Sequence, residues 1–350
     1  MNFSVTLEVN QVCNLKCKYC YLGDKNNTFM SYDIAERSID MSFNRAKKLK
    51  FNEIQFDFIG GEPLLSFLFI ERLVNNIVNI NYKYNFKLLF SITTNGTIMS
   101  RQIIDFLVKY NFDIKLSIDG NKATNDKNRI FINSKESVYN RIMDSMIYFK
   151  EYEKLTKKRI QVTNVITKNN YENYFDSAIH LVKVLEFKFI DVAIDYTADW
   201  NENEIMIIES GIERLLIECL TSKSFYFTDI GNIASKSKKV CKCYTCGAGI
   251  ISIYIRTNGT IFCCPTNLNK NVCLGDVYSG IDENKILFLY NFDEVKNDIC
   301  QNCKIYDYCS VKGCAMGNIL ENNDINIPCK FLCKLEKFYY NLSKRYKINI

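Results

Sequence analysis

Short apolar, β-branched segments alternate along the chain with longer stretches whose apolar residues recur every three or four positions. Residues 4–10, 53–59, 87–93, 114–118, 160–166 and 187–194 read as strands. Between them, residues 31–50, 65–80, 101–109, 138–150 and 171–185 read as helices. This switching between periods of 2 and 3.6 predicts parallel βαβ units with right-handed crossovers. The fold class is therefore α/β, either a partial (β/α)6 barrel or, on pattern alone, an open doubly wound sheet. In both, ligands sit at the carboxyl ends of the strands. From about Lys236 the alternation gives way to short strands, turns and thiols.

Composition adds the chemistry. The 350 residues leave room for one large domain and a smaller one, and a hydrophobic content of 47% supports a sizeable core. A net charge of +6 is modest and dispersed, so no nucleic-acid partner is expected. The outlying feature is 16 cysteines against one histidine. The chain starts Met1-Asn2-Phe3-Ser4 without a basic-then-apolar leader, and no apolar run approaches the roughly twenty residues needed to span a bilayer. The expectation is a cytoplasmic, strongly reducing location with no membrane partner, in which thiols at this density ligate metal.

Cys13, Cys17 and Cys20 are spaced three and two residues apart on a loop leaving the first strand. Three thiolates from one loop hold three irons of a cubane and leave the fourth iron open to a small molecule. A zinc knuckle is the alternative, although zinc sites more often pair C-x2-C with a distant second pair. With Tyr19 before its last cysteine, this C-x3-C-x2-C resembles the radical S-adenosylmethionine (SAM) superfamily. The resemblance decides for the partial barrel. It implies a [4Fe-4S] cluster whose open iron chelates SAM, and reductive cleavage to a 5′-deoxyadenosyl radical.

Further segments resemble the same family. Gly60-Gly61-Glu62-Pro63 follows the second strand and resembles its GGEP motif, which implies that backbone and carboxylate hold the SAM amino group. Two glycines permit close approach, and Glu62 supplies an acceptor for an ammonium. Thr93 and Asn95 in a TNG segment, and Ser117 and Asp119 in S-x-D-G, resemble stretches that line the SAM site, with Ser117 on the ribose or methionyl carboxylate. Arg129 matches the arginine of a D-x-x-R stretch and would pair with that carboxylate, while Tyr19 would pack on adenine. Asn125 stands where the motif often has His. His180 and Trp200, each unique, read as packing residues.

The last third resembles the SPASM extension of radical SAM peptide-modifying enzymes, which holds two auxiliary [4Fe-4S] clusters. Cys246, Gly259 and Cys264 fit C-x(9–15)-G-x4-C, and Cys300, Cys303 and Cys309 fit C-x2-C-x5-C. Cys314 follows Cys309 after four residues, where the family usually has three. The resemblance implies Cys246, Cys264, Cys314 and Cys241 (Cys243 competing) for one cluster. For the other it implies Cys300, Cys303, Cys309 and Cys333, with Cys329 competing. Cys219 reads as core, and Cys263 and Cys273 as spectators. Two zinc-ribbon-like sites are the alternative, because thiolates alone suit zinc as well as iron. The expected division is a radical domain over residues 1–222 and a SPASM domain with a C-terminal helix over 223–350.

The resemblance implies a peptide-maturing enzyme acting on a ribosomally synthesised precursor peptide, with an electron donor such as flavodoxin or ferredoxin. The auxiliary clusters would assist oxidation or the formation of a thioether or carbon–carbon cross-link. Formylglycine formation in sulfatases is the alternative. Relatives with that activity carry an Asp directly after the cysteine corresponding to Cys264, and Pro265, which cannot accept a proton, stands there. Asp195 or Asp199 would have to serve instead. No separate peptide-recognition domain is expected before the first strand. Two readings from other classes remain: a non-catalytic iron–sulfur electron-transfer protein, and a radical enzyme acting on a small molecule or RNA.

Overall fold

The computed structural model describes residues 2–23, 26–239, 246–290, 298–309 and 314–348. In chain order the first half runs β1 (Asn2–Asn10), α1 (Tyr32–Lys48), β2 (Glu53–Gly60), α2 (Phe67–Asn81), β3 (Lys87–Thr94), α3 (Arg101–Lys109), β4 (Asp113–Ser117), α4 (Lys122–Asn128) and α5 (Val138–Thr156). There follow β5 (Gln161–Ile166), α6 (Tyr174–Ile179), β6 (Phe189–Ile194), α7 (Glu202–Ser222), β7 (Tyr226–Phe227) and α8 (Thr228–Ser235). The described remainder comprises β8 (Ser252–Ile255), β9 (Thr260–Phe262), β10 (Gly275–Asp276), β11 (Gly280–Ile281), α9 (Asn284–Tyr290), α10 (Asp298–Gln301), α11 (Ala315–Asn322) and α12 (Lys330–Tyr346). All six strands expected in the first two-thirds form, with ends moved by one or two residues.

The chain divides into two compact units. Unit 1 comprises Met1–Ser117, Arg129–Ile160 and Gly247–Ile286. Its strands lie in the order β11-β10-β9-β8-β1-β2-β3-β4. The pairs β1–β2, β2–β3 and β3–β4 are parallel. One face of β1 and β2 buries Phe3, Val5, Leu7, Ile54, Phe56 and Phe58 completely. Phe43 of α1 packs against that face, its ring centroid 5.9 Å from that of Phe56. Each such side chain contributes about 1.5–3 kcal/mol on burial. Helix α1 starts where Ser31 accepts the Ile34 N–H, and it ends on Arg45, Lys47 and Lys48, which suit its dipole. The opposite face of β1 turns Glu8 and Asn10, both fully buried, away from that apolar layer.

The cysteine-rich stretch contributes to both units. Its residues Gly247–Ile286 belong to unit 1, where β8 lies parallel to β1 with Ser4 opposite Ser252 and Leu7 opposite Ile255. Strand β8 is four residues long and mostly buried, so its pattern carries no period that betrays this partner.

Unit 2 comprises Ile118–Asn128, Gln161–Cys246 and Leu287–Ile350. Here β5, β6 and β7 are parallel neighbours. The helix expected over 171–185 is broken into a 3-10 turn at Tyr171–Asn173, α6, and a π turn at His180–Val184. Side-chain periodicity does not report such changes in backbone hydrogen bonding. Tyr174 of α6 and Tyr339 of α12 both donate to the buried carboxylate of Asp229, at 2.7 and 2.6 Å. Buried Lys236 and Glu336 pair at 2.7 Å. Trp200 is buried as expected, its indole N–H donating to Asp195 O at 2.7 Å.

One stretch corrects the reading of hydropathy. Pro63–Asn81 is long and apolar enough, by length and composition, to cross a membrane. Its Phe67, Ile70, Leu73, Val74 and Ile77 are buried inside unit 1, as in the core helix of a folded domain.

Candidate functional site

The carboxyl end of β1 runs into the cysteine loop, and the Gly60–Gly61 turn after β2 lies directly against it. Gly61 N–H donates to Asn10 O at 3.0 Å and Glu62 N–H to Val12 O at 2.8 Å. A Cβ on Gly60 would meet Asn10 O at 2.3 Å, and one on Gly61 would meet Val12 O at 2.2 Å. Both distances are far inside van der Waals contact, so only glycine permits the approach. On the other flank, Lys16 N–H donates to Ile130 O at 2.8 Å and Ile132 N–H to Asn14 O at 3.0 Å. That short antiparallel bridge brings the preceding residue, Arg129, over the Tyr19 ring at 5.5 Å.

Cys17 and Cys20 share a turn, with Cys20 N–H donating to Cys17 O at 3.2 Å, and both are half-buried. Cys13 is deeper. Its Sγ accepts the Leu15 N–H at 3.3 Å and faces the Asn95 amide Nδ2 at 3.9 Å. Among the described residues, no three His, Cys, Asp or Glu side chains gather closely enough to hold a metal ion.

Glu62 is fully buried. Its Oε1 accepts from Leu64 N at 3.1 Å and Thr94 Oγ1 at 2.9 Å, and its Oε2 from Asn95 N at 2.7 Å. A carboxylate has about four lone-pair sites. Two of the three bonds tie the turn after β2 to the end of β3 and the third closes locally on Leu64, which makes Glu62 a clamp in its own right. Asn10 lies beneath, with Nδ2 donating to Glu62 O at 3.1 Å and Ser66 Oγ at 2.7 Å. Its Oδ1 is buried without a hydrogen-bond partner.

Of the other expected residues in unit 1, Thr93 and Ser117 are half-buried at the ends of β3 and β4, and Pro63 is buried in the turn opening toward α2. In unit 2, buried Asp119 accepts the Val165 N–H on Oδ1 at 3.1 Å, and its own N–H donates to Asn125 Oδ1 at 3.1 Å. Asn125, which departs from the resemblance, is thereby the side chain that fixes the turn after β4. Asn10, Asn14, Thr94 and Thr97 escaped sequence reading. Their only signal was position beside a motif residue.

A second buried carboxylate lies on the same strand end. Glu8 accepts from Tyr254 Oη and Gln11 Nε2, both at 2.5 Å, and pairs with Arg256 at 3.4 Å. Tyr21 is 55% exposed as a residue, yet its phenol is desolvated and faces the charges of Glu8, Cys20 and Asp57, which raise its pKa. The Tyr254 phenol is raised likewise, chiefly by burial.

Among the remaining cysteines, Cys264 follows β9 in unit 1, whereas Cys246, Cys300, Cys303, Cys309, Cys314 and Cys333 belong to unit 2. Cys241 and Cys243 lie outside the described residues. Cys300 and Cys303 are joined by a 3.0 Å backbone turn, and Cys314 heads α11. Burial raises the pKa of the Cys333 thiol, and the charge of Cys303 adds to the rise. Cys329 is fully buried, and burial with a hydrogen bond to Glu321 pushes its thiol up to about 12. Asp195 spends Oδ1 on Thr197 N and Oγ1, at 3.1 and 2.6 Å.

The residues suit an iron–sulfur cluster with SAM on three counts. The loop offers three thiols and no imidazole, N–H groups point at the sulfur of Cys13, and a glycine cradle lies beside an unpartnered buried acceptor, Asn10 Oδ1.

Comparison with known proteins agrees. The radical SAM superfamily matches residues 7–178. A cysteine-type anaerobic sulfatase-maturating enzyme of Clostridium novyi (strain NT) is 26% identical, over 95% of this chain and 93% of that one. The radical SAM cyclopropyl synthase TigE of Paramaledivibacter caminithermalis is 23% identical, over 90% of this chain and 68% of that one. The solved structure of native anSMEcpe with bound AdoMet and Kp18Cys peptide superposes with a TM-score of 0.82 at 20% identity, covering 99% of this chain and 98% of that one. That likeness establishes the fold, an α/β chain with a parallel sheet core, as expected.

Proposed function

The chain carries a radical SAM superfamily domain and is an enzyme of that superfamily, and from this premise we propose that it matures a ribosomally made peptide. A [4Fe-4S] cluster and SAM bound at the cysteine loop would supply radical chemistry for removing a hydrogen atom from a substrate carbon. Cys13, Cys17 and Cys20 would hold the cluster. The Gly60–Gly61 backbone, Glu62 and Pro63 would receive the SAM amino end, with Asn10 Oδ1 as a further acceptor. Thr93, Asn95, Ser117 and Asp119 would line the nucleoside, Arg129 would meet the carboxylate and Tyr19 the adenine.

The observation that carries this reading is the seating of the Gly60–Gly61–Glu62 turn on Asn10 and Val12 at the entry to the three-thiol loop, where the Gly61 and Glu62 N–H groups donate at 3.0 and 2.8 Å. A non-catalytic electron-transfer protein has no use for such a cradle. In this proposal the chain divides into a radical domain over 1–222 and an auxiliary domain over 223–350. Auxiliary [4Fe-4S] clusters would be held by Cys241, Cys246, Cys264 and Cys314, and by Cys300, Cys303, Cys309 and Cys333. They would accept an electron from the substrate or ligate its sulfur, so that a thioether or carbon–carbon bond forms. A flavodoxin- or ferredoxin-type donor in the cytoplasm would reduce the first cluster.

Formylglycine formation is the second reading, favoured by the extended similarity to the Clostridium novyi maturase. Pro265 after Cys264 speaks against it, because proline cannot accept a proton. The test is anaerobic reconstitution with iron and sulfide, then SAM, dithionite and either a cysteine-containing sulfatase peptide or a cysteine-rich precursor peptide. Maturation predicts about twelve irons per chain and reductant-dependent 5′-deoxyadenosine. A cross-linked precursor supports the first reading and an aldehyde on the sulfatase peptide the second. Absence of 5′-deoxyadenosine from iron-replete protein defeats both.

A further inference from the structure

Asn14, Asn95 and Thr97 close a ring of side-chain hydrogen bonds against Cys13. Asn95 Nδ2 donates to Asn14 Oδ1 at 2.9 Å, Asn14 Nδ2 to Thr97 Oγ1 at 2.8 Å, and the Thr97 hydroxyl to Asn95 Oδ1 at 2.6 Å. The Thr97 N–H adds a second donor to Asn95 Oδ1 at 3.0 Å. A flip of the Asn95 amide would set Nδ2 against two donors and Oδ1 against Asn14 Oδ1. The ring therefore holds Nδ2 facing Cys13 Sγ at 3.9 Å, while the Leu15 N–H reaches the same sulfur at 3.3 Å. Asn95 is 7% exposed and Cys13 9%, so these dipoles act with little screening by water.

We infer that this ring sets the reduction potential of the cluster that Cys13 would hold, with Asn95 as a positioning residue that makes the cluster easier to reduce. The inference rests on the proposed role of Cys13 as a cluster ligand. Hydrogen bonds to ligating sulfurs are one of the terms that set iron–sulfur potentials. An N–H dipole aimed at a sulfur stabilises the reduced cluster, the more negative state, more than the oxidised one. Asn95 therefore raises the potential, and Asn14 and Thr97 hold it in the productive orientation.

The experiment is a potentiometric titration of the anaerobically reconstituted full-length enzyme, followed by electron paramagnetic resonance. The cluster of interest is identified as the signal that changes when SAM is added. Asn95→Leu is expected to make reduction about tenfold less favourable, a shift of about 59 mV to more negative potential for one electron. Thr97→Val, which frees the Asn95 amide to turn, is expected to shift it in the same direction by less. A SAM-responsive signal with wild-type potential in both variants overturns the inference. So does loss of that signal from both variants, which would make the ring a structural support. Absence of any SAM-responsive signal from the iron-replete wild type would instead count against the proposed function.

Discussion

The main-chain N–H of Asn95 donates to Glu62 Oε2 at 2.7 Å, while Thr94 and Leu64 occupy the other oxygen. One buried carboxylate thus joins the turn after β2 to the turn after β3, beside the cysteine loop. The ends of two strands are held as one surface before any ligand arrives.

Glu62→Ala would strand three buried donors, each costing about 1–3 kcal/mol when unsatisfied. A loss of at least about 3 kcal/mol is expected in urea unfolding. Glu62→Gln, which keeps a carbonyl acceptor, should lose distinctly less. Equal losses in the two variants would show that the carboxylate is not the clamp described.

Gly61→Ala forces a methyl group to 2.2 Å from Val12 O. Overpacking of this kind costs about 1–3 kcal/mol, and the displacement falls on the loop that carries Cys13, Cys17 and Cys20. The variant should unfold at lower urea and retain less iron after reconstitution. Wild-type iron content and stability together would mean that the turn can retreat from the loop without consequence.

Cys329 and Cys333, one helical turn apart, should behave differently. Burial and a hydrogen bond to Glu321 push the Cys329 thiol up to about 12, whereas burial, with the charge of Cys303 adding to it, raises that of Cys333. Cys329→Ser is expected to keep the wild-type iron content. Cys333→Ser should lose about four irons per chain, read by iron assay and absorbance. The reverse pattern would exchange their roles.

Asp229 receives the hydroxyls of Tyr174 and Tyr339, which lower its pKa, but burial outweighs them and the charge of Asp191 adds to the rise. A carboxyl group with a raised folded-state pKa contributes stability that is complete below its ordinary pKa. That contribution is lost as pH rises through the raised value. Urea midpoints of the wild type should therefore carry a component that declines from the ordinary carboxyl range upward, and Asp229→Asn should lack it. Superimposable pH profiles would exclude Asp229 as its source.

The cysteine loop, the Gly-Gly turn and the alternation of β1–β6 with helices were legible in the chain, because each is a local pattern. Spacing puts three thiols on one loop, glycines mark a close approach, and apolar periods of 2 and 3.6 separate strand from helix. What Glu62 does was not legible. A glutamate after two glycines reads as an acceptor for a ligand, and nothing in the spacing says that it also receives Thr94 Oγ1 and the Asn95 N–H. Asn125 read as a departure from a motif, and it proves to cap the Asp119 amide.

The order of residues in the chain by itself determined the alternation of strands and helices and the strand ends at which the three thiols and the paired glycines appear, since both follow from neighbours a few positions apart. Only the tertiary structure decided that β8, some 250 residues downstream, pairs with β1, and that Asn95 faces Cys13. Those relationships depend on strand register and on the direction of side chains brought together across long loops, and no local period records them.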